Sequence, residues 1–77
     1  MSTYEVKEMF RVEINQVTTD IKTEREVFSF VKELGLEFEP NVRLWGLRGT
    51  IRSSGRACLY EIGDNSDTIA GYVTTLV

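Results

Sequence analysis

The sequence predicts an α+β fold of order β-α-β-β-β, a mostly antiparallel four-stranded sheet with one helix, about residues 24–34, packed on one face. Three observations lead there: period-two alternation from Tyr4 to Ile14, a capped amphipathic segment closed by Gly35, and two turn signals that divide the remaining chain into strands.

Even positions from Tyr4 to Ile14 read Tyr, Val, Glu, Phe, Val, Ile, and odd positions read Glu, Lys, Met, Arg, Glu. Side chains of a strand alternate between its faces, so this is a strand with an even-numbered buried face. Gln16 to Lys22 is polar and rich in threonine and reads as a connection.

Thr23 followed by Glu26 is a capping box, in which the hydroxyl accepts from the Glu26 amide while the carboxylate reaches back. The helix that starts there carries Val27, Phe30, Val31 and Leu34 on one stripe, with Phe28 at its rim. Gly35 supplies the left-handed residue that ends it. Leu36 to Pro40 leads away, and the only proline marks a break before the next strand.

Ser54-Gly55, read as a two-residue hairpin turn, sets Ile51 opposite Cys58, Gly49 opposite Tyr60 and Leu47 opposite Ile62. The second turn signal, Gly63 to Asp67, sets Ile62 opposite Ile69, Tyr60 opposite Gly71 and Cys58 opposite Val73. Both registers turn the same residues inward, and the helix is expected to pack on the face holding Phe10, Val12, Trp45, Ile51, Tyr60 and Val73. The glycines flanking Tyr60 read as room for its ring. The opposite row holds Arg48, Thr50, Arg52, Ala57, Leu59, Glu61, Ala70 and Tyr72.

Seventy-seven residues leave no room for a second independent core, so residues 1–77 are expected to form a single domain. Composition is that of a globular chain, with 42% hydrophobic and 27% charged residues. A core this small gains from a partner or a second copy. The chain is acidic, with a net charge of −3, and has no general attraction to nucleic acid or anionic membrane. All four arginines of the second half lie between Arg43 and Arg56, so an anion-binding role would belong there. One cysteine forbids an internal disulfide. With neither a signal-peptide pattern at the N-terminus nor a bilayer-length apolar run, the expected location is the cytoplasm, the chain's own or that of a host cell.

Chemistry has little to work with. The absence of histidine removes the commonest general base and metal ligand. Cys58 reads as a small core residue rather than a nucleophile. Glu61, Asp64 and Asp67 do not have the spacing of a calcium loop. The expectation is therefore no enzyme, no cofactor and no metal. Gly46-Leu47-Arg48-Gly49 has the G-x-x-G spacing of loops that clamp nucleic-acid backbones between two helices, but here it falls inside an expected strand. Parity likewise puts Trp45 and Tyr60 on the core face and Arg48 and Arg52 on the other, so rings and guanidinium groups do not interleave.

What remains is the outer sheet face. Leu59 and Tyr72, edged by Arg48, Thr50 and Arg52, have an apolar centre and an arginine rim, the composition of a protein interface. The reading is a small non-enzymatic protein-interaction module, an adaptor, inhibitor or small subunit, binding a protein partner or a second copy through Arg48, Thr50, Arg52, Leu59 and Tyr72. The alternative is a nucleic-acid-binding module using Arg43, Arg48, Arg52 and Arg56. No membrane partner is expected.

Overall fold

A computed structural model describes residues 9–63 and 68–76. The segment from Tyr4 to Glu8 of the expected first strand and the loop carboxylates Asp64 and Asp67 lie outside the described residues. The elements are β1 (Phe10–Ile14), β2 (Val17–Ile21), α1 (Glu24–Glu33), β3 (Leu36–Phe38), α2 (Pro40–Ser54), β4 (Ala57–Glu61) and β5 (Ile69–Thr75). The class is α+β and the sheet antiparallel, as expected, with five strands and two helices among the described residues in place of four and one.

Strands run β2-β1-β5-β4-β3 across the sheet. Phe10 and Val12 of β1 are buried, as their parity requires. Asn15 and Gln16 then take positive φ values of 53° and 67°, forming the tight turn that folds β2 back on β1. Val17 to Ile21, expected as a connection, is therefore a strand. Its residues Asp20 and Thr18 stand opposite Arg11 and Glu13, and Arg11 forms a salt bridge to Asp20 at 2.9 Å.

Thr23 caps α1 as expected, its Oγ1 accepting from the Glu26 amide at 3.2 Å, and Val27 and Val31 are buried. Gly35 follows with φ of 73°. Because α1 joins β2 at one edge of the sheet to β3 at the other, it crosses one whole face.

The largest correction concerns residues 40–54, expected as a break and a strand and found as a helix. Pro40 occupies its first turn, where a missing N–H costs nothing, and Gly55, expected in a hairpin, ends it in the left-handed conformation with φ of 88°. The helix buries Val42, Leu47, Thr50 and Ile51. Gly46, with φ of 77° and ψ of 170°, divides it into segments 40–45 and 47–54. The expected pairs of Ile51 with Cys58, Gly49 with Tyr60 and Leu47 with Ile62 are therefore not formed.

β4 and β5 pair antiparallel, one residue off the expected register from Ala57 to Leu59 and two off at Tyr60. Ala57 faces Val73, Cys58 faces Tyr72 and Leu59 faces Gly71, with a bulge before Tyr60 faces Ile69. A one-residue slip exchanges a strand's faces. Ala57 and Leu59 thus join the core, and Cys58 and Tyr60 move to the opposite side. The core lies between the sheet and both helices, built from Phe10, Val12, Leu59 and Val73 below and Val27, Val31, Leu47 and Ile51 above. Complete burial of a Leu or Phe side chain contributes about 1.5–3 kcal/mol. Among the described residues no helix is long and apolar enough to cross a membrane.

Candidate functional site: the open edge of β3 and the groove beside it

Among the described residues β3 is a three-residue edge strand with one neighbour, β4. Its bonding parity follows from the ends of the ladder: the Ile62 amide donates to the Gly35 carbonyl at 3.3 Å, and the Glu39 amide donates to the Cys58 carbonyl at 3.0 Å. Residues 35, 37 and 39 therefore turn their main-chain groups toward β4, and Leu36 and Phe38 turn theirs to the open edge.

The side chains of the same two residues lie on the helix side. There Phe28 of α1 meets Phe38 edge to face, ring centroids 5.0 Å apart. Between α1, β3 and the start of α2 runs a groove of about 600 Å³ whose apolar lining includes Phe28, Val31, Leu36, Phe38, Pro40 and Val42. Lys32, Glu37, Glu39 and Arg43 also line it. A second groove, of about 410 Å³, follows the other flank of α1 beside Thr19 and Ile21 of β2. The β2 edge differs in chemistry. Its two-residue turn closes on a bonded pair, so Thr18 and Asp20 carry the outward main-chain groups, and their polar side chains stand on the helix-free face.

Glu39 fixes the end of β3. Its carbonyl accepts from Val42 at 3.1 Å to start α2, while its carboxylate accepts from the Cys58 amide at 2.8 Å and from Asn41 Nδ2 at 2.9 Å. Burial pushes the Cys58 thiol above its ordinary pKa, and the hydrogen bond and charge of Glu39 add to the shift, against a smaller opposing pull from Arg56. A thiol held protonated is a poor nucleophile.

The residues expected to form one interface are dispersed. Arg48 and Arg52 are exposed on α2, whereas Thr50 on the same helix is 0% exposed, its hydroxyl donating to the Gly46 carbonyl at 2.8 Å. Leu59 is 0% exposed in the core. Of the five, Tyr72 alone lies on the helix-free sheet face, half-buried, with the Arg56 guanidinium 4.2 Å above its ring. Sequence reasoning missed Phe28, Leu36 and Phe38 as site residues. The available signal was the short alternation Leu36-Glu37-Phe38, directly after a helix stop.

No family model, curated protein or solved structure matches this chain.

Proposed function

We propose that this chain is a non-enzymatic protein-interaction module that binds an extended segment of a partner protein as an added strand on the open edge of β3. The supporting observation is the coincidence of outward main-chain groups and groove-lining side chains at Leu36 and Phe38. In strand addition, main-chain bonds supply affinity and pockets for alternate side chains supply specificity. The occupant is a peptide with apolar residues two apart, and Lys32 and Arg43 are balanced in the lining by Glu37 and Glu39, so the apolar spacing rather than charge sets the preference. The interface lies on this edge rather than around Leu59 and Thr50, which are buried.

Peptides selected from a random display library against the chain are expected to share that pattern. Phe28→Asp, at an exposed position of the groove, weakens their binding at least about tenfold, since an aromatic buried centrally in an interface contributes upward of about 1.4 kcal/mol. Tyr72→Ala leaves it unchanged. Selected peptides that bind Phe28→Asp as well as the parent, or that lose binding in Tyr72→Ala, would move the interface to the helix-free sheet face.

A further inference from the structure

Gly46-Leu47-Arg48-Gly49 forms the elbow between the two segments of α2. Each glycine has a local cause. Gly46 adopts a backbone conformation of φ 77° and ψ 170° that only glycine tolerates, and no atom stands within 4 Å of where its Cβ would be, so its exposed backbone is open to close approach. At Gly49 a Cβ would meet the Trp45 Cβ at 3.1 Å, so Trp45 lies against the opening turn of segment 47–54.

Folding explains the glycines but not the exposure of Leu44 and Trp45 beside them. Trp45 is 52% exposed and Leu44 75%, in a helix whose apolar stripe is otherwise buried. Arg48 and Arg52 are both exposed and lie one turn apart on the same segment. Residues 40–56 hold four arginines and no acid, although the chain as a whole is acidic. Trp45 is thus outside the core, its Cβ against Gly49, which directly follows Arg48 and stands about one turn before Arg52 on the same segment.

We propose that this elbow binds the sugar–phosphate backbone of a single-stranded nucleic acid, with Arg48 and Arg52 holding phosphates, Gly46 admitting the strand close to the main chain, and Trp45 stacking on a base. The site is separate from the β3 groove and does not depend on the strand-addition reading. A single strand fits better than a duplex because the Trp45 ring needs an unstacked base. It fits better than a membrane surface because the apolar face of α2, Val42, Leu47 and Ile51, is already occupied by the core.

The test is fluorescence anisotropy of labelled oligo(U) and oligo(dT) with the intact chain at about 50 mM salt, a concentration at which phosphate contacts dominate. Binding is expected, with log K falling against log salt at a slope near −1.4 for two phosphates at about −0.7 each. Trp45→Ala is expected to weaken binding about tenfold, the range for loss of one stacked base. Arg48→Glu with Arg52→Glu should abolish it. Backbone amide shifts of residues 46–49 on titrating the unaltered chain read the same site without any substitution. Absence of binding, unchanged affinity in both variants, shifts confined to other residues, or displacement by phosphatidylserine vesicles but not by unlabelled oligonucleotide would overturn the proposal.

Discussion

Glu39 and Cys58 are joined twice, once through the Glu39 amide to the Cys58 carbonyl and once through the Cys58 amide to the Glu39 carboxylate. In a regular antiparallel pair the second bond would reach the Glu39 carbonyl, but that oxygen has turned to begin α2. The carboxylate replaces it, so one residue ends β3, starts a helix and keeps the ladder closed. Hydrogen bonds to a charged group are worth about 1.5–3 kcal/mol. Glu39→Ala should lower stability by about 2 kcal/mol, and Glu39→Gln, which keeps an acceptor, by less, as read from urea-unfolding midpoints.

Leu59 and Tyr72 should separate cleanly in stability measurements. Leu59 is wholly enclosed, and truncating a buried leucine costs about 2–5 kcal/mol in lost transfer energy and cavity formation. Tyr72→Ala removes a half-buried ring and its contact with Arg56, at a cost of about 1 kcal/mol. Thermal unfolding of the two variants checks the assignment of faces on β4 and β5 directly. Equal losses would mean that the two side chains are not on opposite sides of the sheet.

Cys58 has a pH signature of defined sign. Its pKa is raised in the folded chain, so the fold favours the protonated thiol. The resulting stability is fully present below the unfolded thiol's pKa and is lost as pH rises through the folded value. Tyr60, raised chiefly by its own burial and also by the charges of Cys58 and Glu39, acts in the same direction. Stability should therefore decline on the alkaline side, and Cys58→Ser should remove part of that decline. Iodoacetamide should also alkylate Cys58 more slowly in the folded chain than in urea.

The sequence made α1 legible because cap, stripe and stop agree at Thr23, Val27, Val31 and Gly35, although Leu34, expected on the buried stripe, is exposed just past the last helical residue, Glu33. The first strand was legible for the same reason, in its described part. α2 was not. Its glycines, Thr50, Ile51, Ser53 and Ser54 are weak helix formers, and the apolar row Trp45, Leu47, Ile51 also fits period two. Tertiary packing of Val42, Leu47 and Ile51 overrode local preference, and Pro40 and Gly55 were the overlooked boundary signals.

β2 was hidden by its turn, since Gln16 rarely takes the positive φ it has here. The slip between β4 and β5 has a different origin. Next to the turn Tyr60 faces Ile69, two residues short of the expected Gly71, and past the bulge between Leu59 and Tyr60 the ladder stays one residue short; the turn residues announce neither the offset nor the bulge. Through that shift the candidate interface was lost: Leu59 was assigned outward by a register one residue too long, and Arg48, Thr50 and Arg52 by a strand that is a helix. The groove at β3 was beyond sequence reading because it joins Phe28, Phe38 and Val42 from three elements, one of them unforeseen.

Amide hydrogen exchange at β3 tests the strand-addition proposal most directly. In the free chain Glu37, bonded toward β4, should exchange slowly, while Leu36 and Phe38, aimed at the open edge, should exchange fast. Adding a selected peptide should slow Leu36 and Phe38 and leave Thr18 and Asp20 on the β2 edge unchanged. A bound peptide that leaves the Leu36 and Phe38 amides exchanging as before would contradict strand addition at β3.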